Sequence, residues 1–409
     1  MLDNAQTSVK KQKTLMFLCW ILYTFSYVGR YSYKSNIVNY DVTDTAITGL
    51  VMTFFYGAYG IGQVFNGIFC SKYNKKVVLP TVCVVSAFCN FAVGLDISFE
   101  YIKYLWLVNG ICLSFLYSSI VLVLSENLEE KYLKTAIFLM STTVPGGTFL
   151  VYGASALFST FTSYHATFWL AGAGMLAVAI VWFSLYEKNL SSVKITVKKE
   201  VGENGQTRNA KLATSTLVTV VIIGVFAVIC NLIKDGVQTW TPSVLKEEFA
   251  LGNGLSTALT LLLPVVGIFG AMLALSLQKK IPNYIMLLGV LFTLSGGMLT
   301  GVMSTLTVSW VPAIAFLALS TLVSQAINNV ITSIVPLQLR EQINSGLLAG
   351  ILNGCCYVGS TISGYGLGAV ASNFGWNSVF VLLVALCVVA VIISVVNLLL
   401  KALKKHKLA

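Results

Sequence analysis

The sequence predicts an all-α membrane protein in which twelve transmembrane helices form two six-helix, pseudo-symmetric bundles. Composition, block length and an internal repeat lead to this prediction. Of the 409 residues, 56% are hydrophobic and only 10% are charged, whereas a soluble domain carries charge at about a quarter of its positions. The mean hydropathy of +0.83 agrees with a chain that lies mainly in lipid.

The apolar residues occur in blocks of about 20 or more, which is the length that an α-helix needs to cross a bilayer. Strands of a membrane barrel would be about half as long and would alternate in polarity. The first block is too long for a cleaved signal and contains an arginine, so we expect it to remain as a helix. The predicted spans are 14–37, 45–70, 76–95, 101–124, 134–158, 166–186, 214–240, 254–278, 283–303, 307–333, 344–370 and 377–400.

One long polar stretch, 187–213, divides the blocks into two sets of six. Its lysines, glycines and single arginine predict a solvated linker. The expected organisation is therefore an N-terminal bundle over 1–186, a cytoplasmic linker over 187–213 and a C-terminal bundle over 214–409.

The basic residues predict the orientation in the membrane. If both termini are cytoplasmic, the inner loops and tails hold 21 of the 26 Lys and Arg residues, and the outer loops hold only Lys103 and Lys246. This asymmetry satisfies the positive-inside rule. We therefore expect a multi-pass protein of the cell membrane, whose net charge of +11 faces lipid headgroups and not nucleic acid. A monomer is expected.

An internal repeat relates the two halves. The segment Gly146-Gly-Thr148-Phe-Leu-Val-Tyr152-Gly153 matches Gly359-Ser-Thr361-Ile-Ser-Gly-Tyr365-Gly366 at four positions with one offset. Small residues of this kind favour close helix contacts in membranes. The alternative is two unrelated bundles that both contain small-residue helices.

Arg30 is the first candidate for ligand binding. Tyr23, Tyr27, Arg30 and Lys34 share one face of the first span, because their spacing follows the helical period. A guanidinium offers a planar fork of donors that suits carboxylate or phosphate. The alternative for Arg30 is extension to the headgroups or pairing within the bundle. Extension to the headgroups is expected for Lys34, with attraction of anions as its alternative.

Lys234 is the corresponding cation of the seventh span. Asn231, Lys234, Gln238 and Thr241 lie on one helical face. If the halves are related by two-fold symmetry, Lys234 and Arg30 would bracket one anion. Asp235 points about 100° away from Lys234 and is expected to neutralise it in part, so the alternative is a structural or proton-linked pair.

No catalytic chemistry is predicted. The chain contains no recognisable nucleophile–base pair or phosphate-cradling loop, and its two histidines lie in or near loops. We therefore expect no enzyme activity, no cofactor and no metal site. Gln63, Gln325, Asn328 and Asn329 are expected to form hydrogen bonds between helices.

These features together resemble the major facilitator superfamily, in which two six-helix repeats flank a central cytoplasmic loop. Within it, the pattern Tyr23-x-x-x-Tyr27-x-x-Arg30 is similar to the first helix of the organophosphate:phosphate antiporters. The segment Lys234-Asp-Gly236-Val-Gln-Thr-Trp240-Thr-Pro242-Ser-Val-Leu245-Lys246-Glu247 resembles their seventh helix. Further similar segments are 74–80, 267–270 and 375–376.

The resemblance implies exchange of a phosphorylated metabolite for inorganic phosphate by alternating access. It places Arg30 and Lys234 at the two phosphate-binding arginines of that family, and Tyr23 and Tyr27 at its site tyrosines. The sequence departs from the family pattern in several places. A lysine replaces the second arginine, and Asp235 replaces a tyrosine. Thr142 replaces a frequent site histidine, and Gln63 replaces a lysine of the glycerol-3-phosphate transporters.

The leading hypothesis is a secondary transporter of a small organic anion, with an organophosphate as the expected substrate. Alternatives are transport of a carboxylate or another organic anion, with possible proton coupling through Asp235, and a transporter-like sensor of a phosphorylated metabolite. Export of cationic drugs predicts acidic side chains in the spans, where Asp235 alone qualifies.

Overall fold

The computed structural model describes residues 2–40, 44–190, 214–340, 342–343 and 345–406. The regular structure in these ranges is helical. The first half contains α1 (Leu2–Ser35), a 3-10 turn (Ile37–Asn39), α2 (Thr45–Phe69), α3 (Lys75–Gly94), α4 (Phe99–Asn127), α5 (Glu130–Ser141), α6 (Thr143–Phe161) and α7 (His165–Leu190). The second half contains α8 (Thr214–Phe249), α9 (Asn253–Thr260), α10 (Leu262–Gly267), α11 (Gly270–Lys280), α12 (Tyr284–Thr305), α13 (Trp310–Asn329), a π-helical segment (Val330–Ile334), α14 (Val335–Gln338) and α15 (Ser345–His406).

Ten helical segments of the described chain are long and apolar enough to cross a membrane. The last of them, Leu347–Leu400, has 54 residues and is interrupted at Gly375, where φ is 77°. It therefore contains both of the last two predicted spans. Helix α1 is not among the ten, because its tyrosines and serines lower its hydropathy. The all-α, multi-span prediction is confirmed.

Prolines explain two breaks inside predicted spans. Proline has no N–H and its ring clashes with the carbonyl four residues earlier, so a helix tends to end there. Helix α5 ends at Ser141, four residues before Pro145, and α9 ends at Thr260, four residues before Pro264.

The chain forms two compact units. One contains Met1–Tyr33 and Ala58–Lys211, and the other contains Lys34–Gly57 and Leu212–Ala409. Helices α1 and α2 are therefore each shared by both units. The sequence-based boundaries at 186 and 214 remain a prediction about the two bundles, and most of the linker lies outside the described residues.

Glycines allow close helix packing within each unit. In the first unit, a Cβ on Gly147 of α6 would lie 2.5 Å from the carbonyl oxygen of Thr24 in α1. In the second unit, a Cβ on Gly359 of α15 would overlap the carbonyl oxygen of Val228 in α8. Gly147 and Gly359, one from each segment of the repeat, thus lie where helix backbones approach each other, as the sequence predicts.

The segment 34–57 is held in the second unit by polar contacts to α15. Thr45 and Thr53 donate hydrogen bonds from their hydroxyls to the carbonyl oxygens of Gly368 and Thr361, each at 2.8 Å. These hydrogen bonds require α2 and α15 to approach closely. The approach is possible because residues 364 and 368 are glycines, and a Cβ at either position would overlap backbone atoms of α2.

Gly359→Ala should destabilise the protein, because the added methyl group has no space against the α8 backbone. Overpacking of this kind typically costs about 1–3 kcal/mol, so the apparent melting temperature in detergent should fall. Gly354→Ala is the matched control, since it lies on the same helix and its Cβ would meet no atom within 4 Å. Equal melting temperatures for the two variants would contradict the close α8–α15 contact.

Candidate functional site

Arg30 is buried in the first unit among aromatic rings. Its side chain is 7% exposed. The guanidinium carbon lies 4.4 Å from the ring centre of Tyr59 and 5.4 Å from the ring centres of Tyr27 and Tyr31. Aromatic faces attract cations, and more strongly when water is excluded. The rings therefore stabilise a charge that does not extend into the headgroups.

Five tyrosines form what we call the tyrosine cluster: Tyr23, Tyr27, Tyr31, Tyr59 and Tyr117. Tyr23 stacks edge to face on Tyr27, with ring centres 5.3 Å apart, and lies 5.8 Å from Tyr117. The predicted residues Tyr23 and Tyr27 thus belong to the surroundings of Arg30. Each phenol also brings a hydroxyl that can donate to a ligand oxygen.

Sequence reasoning missed Tyr31, Tyr59 and Tyr117. The sequence contains a signal for Tyr59, because the polar residue Gln63 lies one helical turn after it. In the structure, Gln63 donates a hydrogen bond to the Tyr59 hydroxyl at 2.8 Å. This bond lies within α2, and the interhelical hydrogen bond expected of Gln63 stays a prediction. Tyr117 lies in an ordinary apolar span and carries no such signal.

A polar clamp fixes the rotation of α1 beside Arg30. The side-chain amides of Asn90 and Asn109 donate to the carbonyl oxygen of Gly29 at 3.2 and 3.1 Å. Ser32 donates to Asn90 at 2.5 Å, and Ser86 donates to Asn109 at 2.7 Å. Successive helical residues point about 100° apart, so a clamp at Gly29 directs Arg30 to a different face, where the tyrosine cluster lies.

Thr142 already has a hydrogen-bond partner. It stands at the break between α5 and α6, and its hydroxyl accepts a hydrogen bond from the indole N–H of Trp20 at 2.9 Å. The resemblance placed Thr142 at a site histidine, yet here it joins α1 to the start of α6. Its role in this structure is to position helices.

In the second unit, Lys234 and Asp235 form an ion pair. The ammonium nitrogen lies 3.8 Å from a carboxylate oxygen of Asp235, and the two side chains are 18% and 12% exposed. Ser360 of α15 donates a hydrogen bond to the other carboxylate oxygen. The expected partial neutralisation of Lys234 is confirmed. An anion that approaches Lys234 must therefore compete with this carboxylate unless Asp235 is protonated.

The other polar residues of this α8 face make contacts of their own. Asn231 donates to the side-chain oxygen of Asn328 in α13 at 3.2 Å, which confirms the interhelical hydrogen bond expected of Asn328. Gln238 accepts a hydrogen bond from the ammonium of Lys34 at 3.1 Å. Pro242 has no N–H to donate to the carbonyl of Gln238, so α8 lacks one backbone hydrogen bond beside these residues.

The expected extension of Lys34 to the headgroups is wrong. Its side chain is completely buried, and its ammonium also lies 3.5 Å from the hydroxyl of Tyr56. The reason is that the end of α1 belongs to the second unit, where Gln238 and Tyr56 provide acceptors. A periodicity argument cannot reveal such acceptors, because both come from other helices.

The predicted site residues thus fall into two sets. The first unit brings together Arg30, Tyr23 and Tyr27, and the second unit brings together Lys234 and Asp235 with Asn231 and Gln238 on the same helix. Both sets offer cations and neutral donors, which is a chemistry suited to oxyanions. Within the described ranges, no group of three His, Cys, Asp or Glu side chains is arranged to hold a metal ion.

The sequence matches the model of the Major Facilitator Superfamily over residues 19–346. The match covers most of the chain, which therefore belongs to this superfamily and is a multi-span membrane transporter. No curated protein matches the sequence.

Solved transporters have the same fold. A bacterial homologue of the human lysosomal transporter Spinster, in an inward-facing and occupied conformation, is 13% identical with a TM-score of 0.76, over 94% of this chain and 96% of that one. The nucleoside transporter NupG is 13% identical with a TM-score of 0.67, over 95% and 98%. The peptide transporter POT, in complex with sulfate, is 12% identical with a TM-score of 0.74, over 96% and 94%. These identities are low, so the likeness establishes the fold alone.

Ser360→Ala should destabilise the second unit, because a buried carboxylate oxygen of Asp235 loses its hydroxyl donor. The expected loss is about 1–3 kcal/mol, measured as a lower melting temperature in detergent. Ser363→Ala is the control, since its buried hydroxyl donates only to the Ser360 carbonyl of its own helix. If Ser360→Ala unfolded no earlier than Ser363→Ala, the hydrogen bond to Asp235 would not be a stabilising one.

Proposed function

We propose that this protein is a secondary active transporter of a small organic anion, and that the substrate is an organophosphate exchanged for inorganic phosphate. Arg30 provides the first contact with the anionic group and Lys234 a second. The protein acts as a monomer in the cell membrane by alternating access, with both termini in the cytoplasm.

The observation that carries this proposal is the burial of Arg30 among tyrosines. A charge in a membrane span costs several kcal/mol and is rarely retained without a functional reason. Residues 14–37 contain no aspartate or glutamate, so the first span itself supplies no counter-ion. A fork of guanidinium donors among tyrosine rings, each of which carries a hydroxyl, suits the oxygens of a phosphate group.

The second unit supports an anionic substrate in a different way. Lys234 is paired with Asp235, so its ammonium can exchange one carboxylate partner for another anion. An anionic ligand can replace Asp235 as the partner of Lys234, so separation of the Lys234–Asp235 ion pair costs less free energy when such a ligand is bound. Lysine is a point charge, so this contact is expected to be less specific in geometry than the one at Arg30.

Arg30→Ala should strongly reduce transport of every anionic substrate. The loss of a charge-assisted, two-pronged contact is expected to lower uptake efficiency by roughly 100-fold. The measurement is counterflow in proteoliposomes with glycerol 3-phosphate, a hexose 6-phosphate, inorganic phosphate and a dicarboxylate. Lys280→Ala is the control, because it removes an exposed positive charge of the second unit.

Unchanged counterflow of all of these anions by Arg30→Ala would contradict the proposal. Binding of a phosphorylated probe to the unmodified protein without any flux would instead identify a sensor. Preference for the dicarboxylate would keep Arg30 as the anion contact and replace the organophosphate by a carboxylate.

The Lys234–Asp235 pair favours a second candidate, proton-coupled uptake of an organic anion. Protonation of Asp235 removes its negative charge, which frees Lys234 to bind substrate. A membrane pH gradient would then drive transport through Asp235.

Asp235→Asn separates the two candidates. In proton-coupled transport, this variant should lose uptake driven by a pH gradient by about 10-fold or more, and should retain exchange of substrate for substrate. Glu130→Gln, which removes an exposed carboxylate, is the control. Exchange without any effect of pH gradient in the unmodified protein would leave the phosphate antiporter as the function.

A further inference from the structure

Tyr152 of α6 has a buried hydroxyl that the site described above does not use. The side chain is 1% exposed. Within the part of the chain that the structure describes, its hydroxyl oxygen makes no hydrogen bond. Leaving a buried hydroxyl without a partner is unfavourable, whereas phenylalanine would fill the same volume without this cost.

The position of α6 places Tyr152 next to the tyrosine cluster. At Gly147, α6 touches α1, because a Cβ there would lie 2.6 Å from the Cβ of Tyr27. Tyr152 lies about 7.5 Å further along α6, and Tyr31 lies about 6 Å beyond Tyr27 along α1. Trp20 of α1 also contacts Thr142 just before α6, so the two helices run in the same direction and Tyr152 lies at the level of Tyr31.

Tyr31 lies beside the cation. The guanidinium of Arg30 lies 5.4 Å from the ring centre of Tyr31, so Tyr152 lies on α6 at the level of Arg30. A phenol is a donor as well as an acceptor. An anion held at Arg30 carries oxygens that can accept from a second donor on this side of α1.

Packing alone does not explain a tyrosine here. The internal repeat places Tyr365 at the equivalent position of the second half, and that side chain is 49% exposed. The buried environment of Tyr152 is therefore specific to the first unit and is not a shared requirement of the repeat.

We propose that Tyr152 is a further substrate-binding residue, whose hydroxyl donates a hydrogen bond to an oxygen of the anion bound at Arg30. The phosphate group of an organophosphate supplies acceptors of this kind, and so does inorganic phosphate. This inference rests on the proposed function, and it adds a donor from α6 to the donors of α1.

Tyr152→Phe tests the inference, because structural and ligand-binding roles predict opposite results. The full-length protein is purified in detergent, and thermal unfolding is followed alone and with glycerol 3-phosphate, a hexose 6-phosphate or inorganic phosphate. Without a probe, the melting temperature of Tyr152→Phe should equal or exceed that of the unmodified protein. Its affinity for the stabilising probe should fall by about 10-fold. Tyr365→Phe should change neither quantity.

Two outcomes would overturn the inference. A lower melting temperature of Tyr152→Phe without probe would show a structural role, and an unchanged affinity would show that the hydroxyl does not meet the ligand. Arg30→Ala shows whether the inference alone fails or the proposed function fails as well. If Arg30→Ala loses affinity and Tyr152→Phe does not, only the inference fails. If Arg30→Ala binds normally, or if no probe stabilises the unmodified protein, the proposed function fails and the inference with it.

Discussion

A positive charge inside an apolar helix is the constraint on which the rest of this structure depends. Such a charge costs several kcal/mol in hydrocarbon and must be stabilised locally. The protein does this in two ways. Arg30 lies over the faces of three tyrosine rings, which attract a cation without carrying a net charge. Lys234 is paired with the carboxylate of Asp235, which Ser360 holds from another helix.

The packing around α1 serves the same constraint. Arg30 can lie among the tyrosines only if α1 is fixed in rotation, and the amides of Asn90 and Asn109 provide this at the carbonyl of Gly29. Gly147 lets α6 approach α1 closely at Thr24 and Tyr27. These contacts are either hydrogen bonds or close approaches at glycine. Dispersion between apolar helices in lipid gives little directional preference, so it does not fix the rotation of a helix by itself.

The sequence predicted what depends on length, charge and helical period. This includes the multi-span helical fold, the face shared by Tyr23, Tyr27 and Arg30, and the pairing of Lys234 with Asp235. It did not predict what depends on the orientation of neighbouring helices. Lys34 lies on the same helical face as Arg30. Its ammonium is nevertheless buried against Gln238, because the end of α1 belongs to the second unit. The breaks near Pro145 and Pro264, by contrast, depend only on the missing N–H and the ring of proline.

The central claim is that Arg30 and Lys234, the cations of the first and eighth helices, are retained to bind a negatively charged solute. The most direct measurement is the thermal stabilisation of the purified protein by matched pairs of compounds, glycerol 3-phosphate against glycerol and a hexose 6-phosphate against the free hexose. Stabilisation by at least one phosphorylated compound, and by neither neutral partner, is the predicted result. Equal stabilisation by a neutral partner, or stabilisation by organic cations alone, would contradict the claim.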